Sequence, residues 1–306
     1  MEEYPKTILE FEEWFASEEA SREYLGRLRW PEGFRCPRCG CAEAWQMRRA
    51  LSRCRDCDFQ TSVTAGTIFQ DTRKPLRLWF RAMWYVTSQK QGVSALGLQQ
   101  VLGLGSYHTA WTWMHKLRSA MVRPGRDRLT GMVEVDETYL GGEKPGKRGR
   151  GAAGKTLVVV AAQQDGPRIG RIRLRRVPDA SAPSLSAAIQ EAVEPGSTVR
   201  TDGWRGYGGL PALGYARHVV REEADVGANL LPRVNRVVAL LKRWLLGTHQ
   251  GAVRPSRLDH YLDEFTFRFN RRTSRSRGKL FYRLVQQAAA IDPVPARQIH
   301  GGRPKP

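Results

Sequence analysis

The spacing of apolar residues changes once along this chain, from a helical period to a strand period. Residues 7–25 carry apolar side chains at helical spacing with glutamates on the other face, and 75–121 has the pattern of three helices. Beyond residue 131 the period is that of strands, in "MVEVDETYL", "KTLVVVAAQQ" and "RIGRIRLRRV". The second of these strands is nearly all apolar, so we expect it at the centre of a sheet.

The elements that follow indicate a fold class. A helix over 180–194 precedes a short strand in "TVRTD", a glycine-rich connection, a strand in "ARHVV" and a long helix over 231–246. This succession of strands and helices is typical of a ribonuclease-H-like α/β domain. Two further helices, over 256–272 and 278–290, complete the predicted domain.

The charge of the chain indicates that its partner is a polyanion. The 306 residues carry a formal net charge of +20, and the pI is about 10.4. Such an excess indicates binding to nucleic acid or to an anionic membrane. Because the sequence has no run of 18 apolar residues and begins with an acidic segment, we expect nucleic acid rather than membrane, and a cytoplasmic, nucleoid-associated protein.

The cysteines indicate a metal site. All five fall between positions 36 and 57, unlike the cysteines of a disulfide framework. Cys36 and Cys39, then Cys54 and Cys57, form two C-x-x-C pairs with the spacing of a zinc ribbon. Four thiolates leave no open position, so the zinc would be structural. Cys41 is the spare thiol, although an exchange with Cys39 is an alternative. For the C-x-x-C pairs themselves, a redox role is the alternative to zinc.

One helical segment resembles a helix-turn-helix. It has a helix over 94–101, a turn carried by Gly103 and Gly105, and a second helix that starts near Ser106. The side chains that we expect to face outward from the second helix, toward a major groove, are Tyr107, His108, Thr109, Thr112 and Lys116. Ordinary helix packing uses similar pairs, and the net charge favours DNA recognition.

These segments predict a multidomain α+β protein, with a boundary in the Pro/Gly/Arg-rich linker. The predicted parts are an N-terminal helix (1–30), a zinc ribbon (31–72), a helix-turn-helix region (73–122), the linker (123–131), a ribonuclease-H-like catalytic domain with C-terminal helices (132–291) and a basic tail (292–306). Within that tail, "ARQIHGGRPKP" has no periodicity, so we expect it to be disordered.

Two aspartates occupy corresponding places in the predicted sheet. Asp136 lies near the end of its first strand, and Asp202 directly follows its fourth. These strands are neighbours in a ribonuclease-H-like sheet, so both carboxylates would point into one cleft. Such a pair suits two magnesium or manganese ions about 4 Å apart, which promote displacement at phosphorus. A single aspartate at a strand end is more often a turn or cap residue.

Two basic segments accompany this pair. The glycine-rich loop after the first strand carries four cations, and another cluster, over 268–279, spans the end of the helix over 256–272 and the loop after it. The residues that we expect to bind the DNA backbone are Lys144, Lys147, Arg148 and Arg150 in the loop, and Arg271 and Arg272 in the cluster.

The chain resembles the zinc-ribbon group of DDE-type insertion-sequence transposases over nearly its whole length. The likeness rests on the cysteine ribbon, "SALGLQQVLGLGSYHTAW", "VEVDETYLGG" with its basic loop, "TDGWRGY" and "LLKRWLLGTHQGAV" with "LDHYLDEFTFRFNRR". It implies cutting and joining of DNA at terminal inverted repeats, with Asp136 and Asp202 as metal ligands.

The third ligand of this family is generally a glutamate on the helix after the fifth strand, and here Asn235 stands in its place. The resemblance implies the variant with asparagine at this position and a lysine seven residues on, which Lys242 matches. Two helical turns separate them, so both share one helix face. An amide oxygen can coordinate magnesium, although it adds no charge. Lys242 would hold a phosphate.

The sequence therefore predicts a transposase with structural zinc and catalytic magnesium or manganese, acting on the double-stranded DNA of terminal repeats and target. Since two ends are joined, we expect at least a homodimer. The alternative is a catalytically inactive, domesticated DNA-binding regulator. A basic RNA- or ribosome-associated protein is a third class, but it would have no need of the aspartate pair.

Overall fold

The computed structural model describes residues 2–123, 125–141, 155–220, 230–251 and 253–300. The chain divides into two compact units. The first combines Met1–Arg123 with Ser274–Pro306, and the second is Pro124–Thr273. The predicted division at the linker is therefore present, but the second unit ends before the last long helix.

The first unit begins with two short helices where the sequence predicted one. The helical conformation is interrupted at Ser17, whose hydroxyl accepts a hydrogen bond from the Ala20 N–H and caps the second helix. Its elements are α1 (Ile8–Trp14), α2 (Glu18–Arg29), β1 (Ala44–Met47), β2 (Leu51–Cys54), β3 (Gln60–Ser62), α3 (Leu76–Ser88), α4 (Ala95–Leu102) and α5 (Tyr107–Ser119). Strands β1, β2 and β3 form an antiparallel sheet in that order.

The second unit contains the predicted five strands. Its elements are β4 (Met132–Leu140), β5 (Thr156–Asp165), β6 (Arg168–Val177), α6 (Ala182–Ala192), β7 (Thr198–Thr201), β8 (Ala216–Val219), α7 (Pro232–His249) and α8 (Leu258–Phe269). The chain then returns to the first unit with α9 (Arg277–Ala290) and α10 (Ala296–His300).

The placement of α9 corrects the predicted catalytic domain, which extended to residue 291. Phe281 of α9 is fully buried, and its ring lies against Phe11, Phe15 and Phe80 of the first unit. A Cβ at Gly278 would overlap the Pro5 carbonyl, so only glycine permits this close approach. Aromatic packing thus recruits α9 to the N-terminal helices.

The tail is also partly ordered. Helix α10 packs against α5, and Ile299 is buried, so residues 296–300 are not the disordered segment that the sequence predicted.

The five-stranded sheet has the order β6-β5-β4-β7-β8. Strands β4, β5 and β6 pair antiparallel, whereas β7 runs parallel to both β4 and β8. Apolar residues of α6 cover one face, and those of α7 and α8 cover the other. Strand β5 is buried on both faces from Leu157 to Ala162, as its apolar run predicted.

Among the described residues, no helix has the length and hydropathy that crossing a bilayer would require.

Candidate functional site

Four cysteines converge at one end of the three-stranded sheet. The Sγ atoms of Cys36 and Cys57 are 3.6 Å apart, and those of Cys39 and Cys54 are 3.5 Å apart. All four sulfurs lie within 4.8 Å of one another. In a tetrahedral site with Zn–S bonds of about 2.3 Å, sulfurs stand about 3.8 Å apart. The cluster therefore suits one zinc ion with no open coordination position.

Backbone amides shape this site. The N–H of Cys57, above all, lowers the pKa of the Cys54 thiol to about 6. At Cys39 the lowering by the Cys41 N–H is outweighed by the neighbouring thiols, which raise the pKa to about 12, so without metal the thiolate is favoured at Cys54 and not at Cys39. Cys41 is outside the cluster, and its sulfur contacts the backbone of Glu43 instead. Its prediction as the spare thiol is therefore confirmed, and an exchange with Cys39 is not seen.

Asp136 lies on β4 of the second unit, and Asp202 directly follows the neighbouring strand β7. Strand β4 pairs parallel with β7, with Glu134 opposite Arg200. The observed pairs end there, and continuing the same register by two residues would bring Asp136 opposite Asp202. Side chains at alternate positions share a face, so Asp136 lies on the face of the sheet that also carries Glu134 and that α7 covers.

Each carboxylate is oriented by the backbone beside it. Oδ1 of Asp136 accepts a hydrogen bond from the Glu137 N–H at 2.8 Å, and Oδ1 of Asp202 accepts one from the Trp204 N–H at 2.9 Å. Both side chains are half-buried. Partial burial lowers the local dielectric constant, so a cation at these carboxylates would be attracted more strongly than at fully exposed ones.

Glu137 faces the other side of the sheet. Its carboxylate accepts a 2.6 Å hydrogen bond from the Tyr207 hydroxyl, and Tyr207 is fully buried against the α6 side. Burial, followed by the charges of Glu137, Asp136 and Asp202, raises the pKa of Tyr207 far above its usual range. The phenol therefore keeps its proton and donates it in the hydrogen bond to Glu137.

The segment "TDGWRGY" owes its shape to Gly206. A Cβ there would lie 2.7 Å from Nε1 of Trp204 and 2.9 Å from the Ala180 carbonyl, which accepts a hydrogen bond from that indole. Glycine at this position therefore leaves room for the Trp204 indole and its hydrogen bond to the Ala180 carbonyl, in the turn that follows Asp202.

Helix α7 carries Asn235 and Lys242, and both are exposed. The start of the helix is held by Glu134 of β4, whose carboxylate accepts hydrogen bonds from the N–H groups of Arg233 and Val234. Asn235 is the next residue, so it lies in the turn that is anchored beside the strand of Asp136. The sequence patterns did not single out Glu134 as a site residue, although an acidic residue within an apolar alternation could have indicated it.

In the second helix of the helix-turn-helix candidate, the exposed predicted residues lie in the first turn. Tyr107 and His108 are exposed and Thr109 is half-buried. The prediction that Thr112 faces outward is wrong, whereas Lys116 is half-buried and agrees with its prediction only in part. Thr112 is buried and donates to the His108 carbonyl, and Lys116 donates to the Ile68 carbonyl at 3.3 Å while burial lowers its pKa.

The predicted cations differ in what surrounds them. Arg271 lies over the Phe267 ring, with 4.1 Å between its Cζ and the ring centroid. Arg272 stacks on Phe269 and donates to the carbonyls of Ile169 and Gly170, so its guanidinium braces the start of β6. The predicted loop cations Lys144, Lys147, Arg148 and Arg150 lie outside the described residues.

Comparison with known proteins identifies the family of this chain. Residues 128–270 match the ISXO2-like transposase domain, and residues 16–60 match the transposase zinc-ribbon domain. A protein in the transposable element ISH50 of Halobacterium salinarum is 27% identical over 298 residues, covering 90% of this chain and 98% of that protein. The chain is thus a transposase of the DDE type. It belongs to the insertion-sequence group that carries an N-terminal zinc ribbon.

Proposed function

We propose that this chain is an active DNA transposase, which binds the terminal inverted repeats of its insertion sequence, cuts the DNA there and joins the ends to a target. The observation that carries the proposal is the parallel register of β4 and β7, continued to Asp136 and Asp202. The strand order, with α6 on one face and α7 on the other, supports a ribonuclease-H-like catalytic domain.

Asp136, Asp202 and Asn235 would hold magnesium or manganese. Each offers an oxygen ligand, the type that these hard cations prefer, so the donor set fits. Two ions bound there would supply activation of the attacking oxygen and stabilisation of the leaving oxygen. Lys242, two turns beyond Asn235 on the exposed side of α7, would bind a phosphate as a point charge.

The proposed chemistry has two steps. In the first, the oxygen of water bonds to phosphorus and the bond to the 3′ oxygen breaks, which leaves a 5′-phosphate and a 3′-hydroxyl. In the second, that hydroxyl attacks a target phosphodiester, and the displaced 3′ oxygen of the target takes up the proton. The N–H groups of Glu137 and Trp204 keep both carboxylates oriented throughout.

DNA recognition would use surfaces of both units. Tyr107, His108 and Thr109 begin α5, and the N-terminal residues of such a helix are the ones that reach base edges in a helix-turn-helix. Arg271 would contact phosphate, and the net charge of +20 favours the polyanion generally. Joining two ends calls for at least a dimer on the DNA, and such work would place the protein at the nucleoid.

The test is cleavage of duplex DNA that carries the ends of the element, by the full chain with magnesium or manganese. We expect nicking at the ends by the wild type, and its loss in Asp136→Asn and Asp202→Asn with unchanged DNA affinity. Asp165→Asn, an exposed aspartate at the end of β5, is the matched control and should cut normally.

A wild-type chain that binds these ends but cuts with neither metal would refute the proposal and favour the regulator instead. Retained cutting by both aspartate variants would refute the assignment of the site.

A further inference from the structure

Glu134 is a buried acid for which the chemistry above has no use. Its side chain is 1% exposed, and it lies on β4 two residues before Asp136, on the same face of the sheet. Burial of a carboxylate is costly unless hydrogen bonds and opposite charges compensate it. The partners of Glu134 are therefore informative.

These partners come from two other elements. One oxygen accepts hydrogen bonds from the N–H groups of Arg233 at 2.8 Å and Val234 at 3.1 Å, and the other accepts one from Nη1 of Arg233 at 2.8 Å. Nη1 of Arg200, on β7, is 4.0 Å away. A single carboxylate thus joins β4, β7 and the start of α7, which carry Asp136, Asp202 and Asn235 respectively.

The helix cap is supplied from outside the helix. Leu231 occupies the N-cap position and carries no hydrogen-bonding side chain, whereas a serine or aspartate there would satisfy the first N–H groups locally. A local cap would stabilise α7 without defining its place. A cap from β4 also sets where the helix begins relative to the strand of Asp136.

We propose that Glu134 is a positioning residue, which holds the first turn of α7 in register with β4 and β7 so that Asn235 meets the two aspartates as the third metal ligand. The inference rests on the proposed function of that site. Residues that orient metal ligands typically change metal affinity by about 10- to 100-fold when they are replaced.

The principal variant is Glu134→Gln, which retains the shape but presents an NH₂ group to donors. The matched control is Glu264→Gln. Glu264 is also a fully buried acid of this unit, and it accepts hydrogen bonds from Arg268 of its own helix α8. Both variants lose a buried ion pair, but only the first loosens α7 from β4.

Two measurements on the full, zinc-loaded chain separate positioning from general stability. Mn²⁺ binding to the protein with duplex DNA, followed by electron paramagnetic resonance of the free ion, should weaken about tenfold or more in Glu134→Gln. Hydrogen exchange should become faster in peptides that cover 231–238. In Glu264→Gln, Mn²⁺ affinity should equal that of the wild type, even where the melting temperature falls.

Wild-type Mn²⁺ affinity in folded Glu134→Gln would overturn the inference. If that variant does not fold, Glu134→Asp keeps the charge but withdraws the carboxylate, and it should weaken Mn²⁺ binding too; an unchanged affinity there would be equally decisive against it. Failure of the wild type to cut DNA would refute the proposed function instead, because Mn²⁺ binding needs no cleavage.

Discussion

The proposed closeness of Asp136 and Asp202 leads to a specific prediction for the stability of the protein when no divalent metal is bound to them. Asp136→Asn should raise the melting temperature of the second unit, because it removes repulsion between two like charges on neighbouring strands. The asparagine retains Oδ1, which accepts the Glu137 N–H at 2.8 Å, so the local backbone is undisturbed.

The magnitude follows from the sheet. Neighbouring strands lie about 4.8 Å apart. Two unit charges at that separation repel by about 1 kcal/mol in water and about 3 kcal/mol at an effective dielectric constant of 20. Since both side chains are half-buried and screened by solvent on one side, we expect the lower figure. For a unit of this size, about 1 kcal/mol corresponds to about 2–4 °C.

The assay is calorimetry of zinc-loaded protein in magnesium-free buffer without chelator. Asp202→Asn should give the same gain, and the double variant should gain no more than either single one, because the repulsion is removed only once. Asp165→Asn should give no gain. Additive gains, or a lower melting temperature in both single variants, would show that the carboxylates do not face each other.

Three further predictions concern other parts of the molecule. Elemental analysis should find one zinc per chain, retained in Cys41→Ser and lost in Cys39→Ser; equal loss in both would contradict the cluster. Phe281→Ala should lower the free energy of unfolding of the first unit by about 3–5 kcal/mol in a denaturant titration, because it empties the centre of the aromatic cluster. Burial raises the pKa of Asp263 to about 7, against a lowering by Arg126. The folded state therefore binds this proton more tightly than the unfolded state, so stability should fall as pH rises from about 4 to 7. Asp263→Asn should flatten that decline and be the more stable protein above pH 7, as thermal melts across this range would test.

Much of the fold was predictable because its signals are local. The bounds of β4, β5 and β6 follow from their alternation and apolar runs, and the turn between α4 and α5 follows from its glycines. The zinc site was predictable for the same reason, since two C-x-x-C pairs carry their ligand geometry within each short knuckle.

The partner of a helix is a different matter. Apolar spacing in α9 indicates that one face is buried, but it does not say against what, and Phe281 in fact joins the N-terminal aromatic cluster. Lys116 illustrates the same limit, because its place on the helix suggested solvent, whereas its ammonium group donates a hydrogen bond to the Ile68 carbonyl.

The sequence by itself determined the chemistry available to this protein: two cysteine pairs, two aspartates at strand ends, an asparagine in the third position and a large excess of cations. Only the tertiary structure decided which of these groups meet. Parallel pairing places the strand of Asp136 beside the strand that precedes Asp202, and Glu134 joins the start of α7 to β4. Period and residue type are properties of neighbours in sequence. Register and helix placement depend on hydrogen bonds between distant segments, 66 residues apart for β4 and β7 and 99 or 100 residues apart for Glu134 and the start of α7, which no local pattern contains.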